Sequence, residues 1–191
     1  LLKRIFGGQA DTVLKLIRDV IREEVKKGTE MFPAKTIARK LSKTRKTITM
    51  DDESIENLLF TTYEDRYAFP ILALLYPHLD YKNNDFNKDH IFPKSMFATK
   101  NLKKFGIDLS QEDANYYTES WCYNGIVNLQ MLDSNDNKSK NNKSFEEWTR
   151  TNKVNFEKQI LPKITDFKRF IEFVDERWDM LIDKLKEELK F

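Results

Sequence analysis

A carboxylate and an imidazole stand side by side at Asp89 and His90, in the segment DHIFPKS. Histidine can take a proton from water near neutral pH, and a carboxylate is a preferred oxygen ligand of hard cations such as Mg²⁺. Adjacent side chains of an extended strand point to opposite faces, so a shared target requires a bent strand end, and Pro93 is consistent with that bend. Alone, such a pair is typical of a surface dipeptide. Together with Pro93 and the asparagines further along the chain, it predicts a site that activates water beside a metal ion, as phosphodiester hydrolysis requires.

A second polar segment begins 38 residues after His90, at Asn128. The letters NLQML that start there predict a short strand, and the following DSNDNKSK starts a helix under Asx or Ser capping. The connection between the two strands is long and is predicted to contain helices over 94–104 and 111–121. Strand, strand and helix, with one histidine and several oxygen ligands at their junctions, predict a compact metal-dependent cutting unit.

Helical periodicity dominates the rest of the chain. Asp11 caps a predicted helix that Gly28 ends, and its apolar stripe consists of Leu14, Ile17, Val20, Ile21 and Val25. Further helices are predicted over 34–42, from Asp51 to Leu59, over 67–79 with Pro70 in the first turn, and along a stripe from Phe167 to Leu189. Core packing explains both terminal stripes better than partner binding does.

These elements predict an α+β fold that is predominantly α-helical with an embedded strand–strand–helix unit. The expected organisation is a helical N-terminal part at 1–80, the cutting unit at 81–150, and a C-terminal helix at 151–191 that packs on the same domain. The chain opens with Leu1 rather than Met, which indicates a fragment of a longer protein.

Composition limits the classes of protein to consider. The net charge is only +2, so an anionic partner must be met by a local patch. One cysteine, Cys122, excludes an intrachain disulfide and a four-cysteine zinc site, and it is interpreted as a small buried hydrophobe. No apolar run approaches membrane-spanning length, so a soluble, cytoplasmic protein without a membrane partner is expected.

Together, DHIFPKS and NLQMLDSNDNKSK resemble the HNH (ββα-metal) nuclease motif, in a layout similar to the HNH module of RNA-guided CRISPR effectors. The resemblance implies that Asp89 is a metal ligand and His90 the general base. It implies that Asn128 braces the loop and fixes the orientation of His90. Asn137, nine residues further on, becomes the second metal ligand, and Lys140 is placed near a DNA phosphate.

The wider frame resembles the C-terminal half of GmrSD-type restriction proteins, which act in bacterial defence against phage DNA. The features that carry this resemblance are the segment LLYPHLDY ahead of the motif, the two motif segments, and the letters EEW after them. The nuclease motif covers about 84–150, and the family resemblance covers most of the chain. It implies DNA as substrate, Mg²⁺ or Mn²⁺ as cofactor, and an N-terminal nucleotide-binding domain that this chain lacks. Many HNH enzymes carry two cysteine pairs around zinc; with Cys122 alone, no structural zinc is expected.

Several assignments stay open at this stage. Asn135 and Asn141 compete with Asn137 as the second ligand, and helix capping is the other role for these residues. His78 ends an apolar helix and is interpreted as structural.

Lysines outnumber acids around the motif, which favours a nucleic-acid footprint over a solvated face. The DNA-contacting residues expected there are Lys94, Lys138, Lys140 and Lys143. Two alternatives to an active nuclease are a catalytically inactive nucleic-acid-binding module and a regulatory interaction domain. Modified DNA, plain duplex DNA and RNA all stay open as substrates.

Overall fold

The computed structural model describes residues 2–3, 7–8, 10–44, 46, 48 and 50–189. This part of the chain divides into two units, one reaching Glu53 and including Leu189, the other spanning Ser54–Glu188. The α-helices are α1 (Ala10–Lys26), α2 (Ala34–Leu41), α3 (Asp52–Leu59), α4 (Ala68–Leu75), α5 (Thr99–Phe105), α6 (Asn115–Thr118), α7 (Ser120–Tyr123), α8 (Ser134–Lys140), α9 (Phe145–Thr151) and α10 (Phe170–Glu188). The strands are β1 (Phe86–His90) and β2 (Leu129–Asp133).

The first unit contains α1 and α2. Gly28, at φ +81°, follows the end of α1, as the sequence predicts. The buried face of α1 is centred on Val13 and Val20, which pack with Ile37 and Leu41 of α2. Leu14 and Val25 were expected in the apolar stripe of α1, but 51% and 63% of their surfaces are exposed. Only part of the apolar stripe of α1 therefore contributes to the core.

Three predicted helices of the second unit are shorter or more broken than expected. The helix expected over 67–79 ends at Leu75, because the residue before Pro77 is disfavoured in helical backbone; Tyr76 has φ −119° and ψ 57°. The helix expected over 111–121 is split into a 3₁₀ turn, α6 and α7, since Glu119 is extended at ψ 128°. Residues 94–104 likewise form a 3₁₀ turn and then α5, separated by the extended Ala98.

β1 and β2 form a two-stranded antiparallel sheet, and α8 follows β2 directly and packs on both strands. In the register, Asp89 faces Gln130 and His90 faces Leu129. The side chain of Asp133 caps α8 by accepting hydrogen bonds from the backbone N–H groups of Asn135 (2.8 Å) and Asp136 (3.0 Å). The predicted Asx cap is thereby confirmed. The helices and the small sheet also confirm the predicted fold class, which is α+β and mostly helical.

An aromatic core anchors the chain immediately after β1. Phe92 is fully buried and meets the rings of Phe145, Phe170 and Phe173 at centroid distances of 5.0–5.5 Å. Two of these rings lie on α10, so the C-terminal helix packs against the segment that carries the candidate site. Within the described residues, no helix is long and apolar enough to cross a bilayer.

A buried arginine on α10 binds the backbone on both sides of Asn128. Arg177 donates to the carbonyl oxygens of Val127 and Leu129, both at 2.8 Å, and to that of Ile160 at 3.0 Å. Ile160 has φ +51°, a strained conformation for a β-branched residue, and the bond to Arg177 helps to hold it. The guanidinium thus fixes the entry into β2 from a helix 50 residues away along the chain.

Candidate active site at the end of the first strand

The side chains of Asp89 and His90 have different partners, as expected for neighbours on a strand. β1 stays paired with β2 through His90, and the backbone N–H of Ile91 continues the ladder to the carbonyl oxygen of Asn128 at 2.8 Å. The bend expected to bring both side chains onto one target is not seen. The structure places the imidazole and the carboxylate in two separate environments.

The imidazole of His90 ends a chain of hydrogen bonds that leads to the surface. Its Nε2 lies 2.9 Å from Oδ1 of Asn124, and Nδ2 of Asn124 donates to Oε2 of Glu64 at 2.6 Å. The other oxygen of Glu64 accepts from Nζ of Lys94 at 3.1 Å. The ring stacks on Tyr63, with a centroid distance of 5.1 Å and an interplanar angle of 16°.

A local pairing of two loops assembles these partners. Thr62 and Gly125 form an isolated antiparallel bridge, and the backbone N–H of Tyr63 donates to the carbonyl oxygen of Asn124 at 2.8 Å. A Cβ atom at position 125 would lie 1.9 Å from the carbonyl oxygen of Trp121, so only glycine fits there. Gly125 thereby allows Asn124 to face Glu64, which lies 60 residues earlier in the chain.

Burial lowers the pKa of His90 below its ordinary value, against the opposing effects of the Asn124 hydrogen bond and the charge of Asp89. The lowered pKa favours the neutral form of the ring, which is the form able to accept a proton. The hydrogen bond from Asn124 lowers the pKa of Glu64, with a smaller contribution from Lys94, which keeps that carboxylate ionised.

The carboxylate of Asp89 lies in a buried cluster of charged and polar groups. Its Oδ2 accepts from Nζ of Lys140 at 2.8 Å and from Nε2 of Gln130 at 2.9 Å. Lys140 is fully buried and also donates to the backbone carbonyl oxygen of His90 at 2.5 Å. Burial lowers the pKa of Lys140, and the charge of Asp89 opposes that shift. Oε1 of Gln130 is buried without a hydrogen-bond partner among the described residues.

Asn128 joins the two halves of the site through the backbone. Its Nδ2 donates to the carbonyl oxygens of Phe92 (2.9 Å) and Tyr123 (2.7 Å), and its Oδ1 accepts from the N–H of Phe92 at 3.0 Å. The side chain is fully buried, so these three bonds satisfy its amide. They tie the loop after β1 to the loop before β2, and none of them goes to the His90 ring.

The second expected metal ligand, Asn137, lies on α8, which packs on β1, the strand that carries Asp89. Asn137 and Lys140 are three residues apart on that helix and share a face, and Lys140 contacts Asp89, so this face is turned toward β1. Hydrogen bonds from described residues reach only Oδ2 of Asp89. The other carboxylate oxygen, Oδ1, is therefore the atom that would coordinate a cation. One carboxylate oxygen and one amide oxygen fit a hard cation that keeps several waters. Among the described residues, no group of three His, Cys, Asp or Glu side chains could hold a metal.

The four lysines expected to contact DNA lie in different environments. Lys138 is exposed, and Lys94 is exposed but paired with Glu64. Lys143 is half-buried, with Nζ 5.9 Å from the centre of the Trp148 ring. Lys140 has no exposed surface, so its ammonium is not presented to a phosphate on the surface.

Sequence reasoning missed Tyr63, Glu64 and Asn124. Asn124 carried a weak signal, since it precedes a glycine and lies four residues before Asn128. Tyr63 and Glu64 belong to no recognisable motif, and only the loop pairing brings them to His90.

The chain matches the model of a known protein family. The family model described as "GmrSD restriction endonucleases, C-terminal domain" matches residues 32–187, which is most of the chain. No curated protein matches the chain.

Proposed function

Because the chain belongs to the family of GmrSD restriction endonuclease C-terminal domains, we propose that it is an HNH-type endonuclease that hydrolyses DNA phosphodiester bonds. The observation that carries the proposal is a neutral, anchored imidazole at the end of β1, in a two-stranded sheet whose following helix packs on both strands. Membership in this family supports a nuclease related to restriction enzymes, and defence against phage DNA is the corresponding role. The finer assignment to the HNH class rests on the residues of the site.

His90 is the general base in this proposal. Its neutral ring takes a proton from a water molecule, and the resulting hydroxide attacks the phosphorus in line with the leaving oxygen. Asn128 keeps the loop after β1 in place through its three hydrogen bonds to the backbone. Asp89 and Asn137 would hold Mg²⁺ or Mn²⁺, which supplies stabilisation of the charge on the phosphate and the leaving oxygen.

Exposed lysines support a nucleic-acid substrate. Lys94 lies beside the His90 network and Lys138 lies on α8 next to Asn137. Contacts from such residues to phosphates give affinity without sequence preference, which suits a cleavage unit whose specificity is supplied elsewhere.

The direct test is nicking of supercoiled plasmid DNA in the presence of Mg²⁺. We expect cleavage by the unsubstituted chain and a loss of about 10²–10⁴-fold or more in rate for His90→Ala, the usual contribution of a general base. His78→Ala, which removes the chain's other histidine from an exposed position, is the matched control and should cleave normally. Unchanged cleavage by a folded His90→Ala protein would refute the assignment of the base.

One observation favours a second candidate, an inactive nucleic-acid-binding module. The Lys140 ammonium already neutralises the Asp89 carboxylate and therefore competes with a divalent cation for it. Salt-sensitive DNA binding without cleavage at any Mg²⁺ or Mn²⁺ concentration would support this module.

A further inference from the structure

We infer that Asn124 and Glu64 are positioning residues that hold His90 in the tautomer protonated on Nε2, so that Nδ1 is the atom that accepts a proton. The tautomer itself follows from the hydrogen-bond network alone. Its catalytic meaning rests on the proposed function, in which His90 is the general base.

The orientation of the Asn124 amide is the first step. An ionised carboxylate accepts hydrogen bonds and donates none. Glu64 therefore has to face the NH₂ group of Asn124, and the two atoms lie 2.6 Å apart. The reversed amide would set its carbonyl oxygen against the carboxylate oxygen, two acceptors with no hydrogen between them.

The orientation of Asn124 then determines the proton on His90. With NH₂ turned to Glu64, the amide oxygen faces the ring and lies 2.9 Å from Nε2. An amide oxygen can only accept, so Nε2 has to carry the hydrogen. In the neutral ring the second nitrogen is then unprotonated, which leaves the lone pair of Nδ1 as the base.

Two further contacts make the arrangement rigid. Lys94 binds the other oxygen of Glu64 at 3.1 Å and favours its charged form, and hydrogen bonds to charged acceptors are the stronger ones. Tyr63 stacks on the imidazole and limits rotation of its plane, with its own ring covered by Nζ of Lys88 at 4.4 Å. Asn124 is only 3% exposed, so water does not readily replace its partners.

The tautomer can be measured directly by NMR. The chain has two histidines, so His78→Gln leaves His90 as the only source of imidazole signals. In protein labelled with ¹⁵N-histidine, at a pH where the ring is neutral, protonated and unprotonated ring nitrogens give well-separated ¹⁵N shifts and distinct couplings to the ring protons. We expect a protonated Nε2 and an unprotonated Nδ1.

Three substitutions test the cause in that background. Glu64→Ala frees the Asn124 amide to reverse, so the Nδ1-protonated form should appear beside the other. Glu64→Gln can still accept from Asn124 through its amide oxygen and should restore most of the original tautomer. Glu157→Ala, at an exposed glutamate outside this network, should leave the spectrum unchanged. Glu64 has an exposed side chain, so these variants should stay folded.

In plasmid cleavage, Glu64→Ala should lower kcat by about tenfold, part of the 10²–10⁴-fold that general-base catalysis contributes, with little change in KM. A ring protonated on Nδ1 in the unsubstituted network, or a tautomer ratio that Glu64→Ala does not move, would overturn the inference. A chain that shows the expected tautomers but does not cleave DNA would refute the proposed nuclease and leave the positioning of the ring established.

Discussion

Asp89 and His90 are neighbours in sequence but belong to two different kinds of environment. The carboxylate of Asp89 lies among buried groups, with the ammonium of Lys140 and the amide of Gln130 on the same oxygen. The imidazole of His90, whose pKa is lowered by burial, is connected through Asn124 to an exposed glutamate. Two neighbouring residues of one strand thus differ: the charge of Asp89 is balanced by a buried lysine, and the imidazole of His90 is linked to the surface.

The difference shows how a short strand can combine stability with chemistry. A buried charge has to be paired, so the fold depends on the bonds between the Asp89 carboxylate and its partners. The imidazole of His90 is held by the hydrogen bond with Asn124 and by the ring of Tyr63, and no hydrogen bond from the described residues reaches its Nδ1. Substitutions of Asp89 and of His90 should therefore have different effects.

The largest expected effect is on the Asp89 side. Asp89→Ala leaves the fully buried Lys140 without its carboxylate, so the free energy of unfolding should fall by about 3–5 kcal/mol. His90→Ala removes one hydrogen bond and one ring contact and should cost only about 1–2 kcal/mol. Denaturant unfolding of both variants measures the contrast.

The double substitution Asp89→Ala with Lys140→Met provides the control. It removes both charges and should recover much of the stability lost in Asp89→Ala alone. Equal losses for Asp89→Ala and His90→Ala would show that the ion pair does not distinguish the two sides.

A smaller effect is expected at Asn137, which affects metal use rather than folding. Asn137→Ala should raise the Mg²⁺ or Mn²⁺ concentration needed for half-maximal cleavage by about 10–100-fold, while stability stays within about 0.5 kcal/mol. Asn135→Ala, on the same helix with an exposed side chain, is the matched control. A larger effect at Asn135 would transfer the ligand role to that residue.

The smallest effects are expected for single surface lysines. Lys138→Ala should reduce the slope of log Kd against log salt by about 0.9, the value for one lost phosphate contact. Lys94→Ala should reduce it less, because that ammonium is already paired with Glu64. Fluorescence anisotropy with duplex DNA and no divalent metal measures both slopes, and Lys158→Ala, at an exposed lysine outside residues 81–150, should leave the slope unchanged.

The sequence was sufficient for features encoded by neighbouring residues. The segment NLQML predicted β2 and the capping signal predicted α8, and Asp133 caps α8 through its side chain. Pro77 is a local signal that ends α4 earlier than predicted. Glu119 carries no such signal, because glutamate is a good helix former, yet its extended backbone interrupts the helix expected over 111–121.

The candidate site was harder to predict, because its contacts join distant segments. Asn124 lies 34 residues from His90 and Glu64 lies 60 residues from Asn124, and no periodicity links such positions. The burial of Lys140 was not predicted for another reason. Lysine is almost never fully buried unless it is paired, and its pairing with Asp89 depends on how α8 packs on β1.

The bonds of Arg177 limit how far this protein can be shortened. A chain that stopped before α10 would keep Asp89, His90, Asn128 and Asn137, yet it would leave the carbonyl oxygens of Val127 and Leu129 without their donor. Aromatic packing on Phe92 would be lost with the same helix. We therefore expect the smallest independently folding piece that contains the strand–strand–helix unit to extend well past that unit, as far as α10.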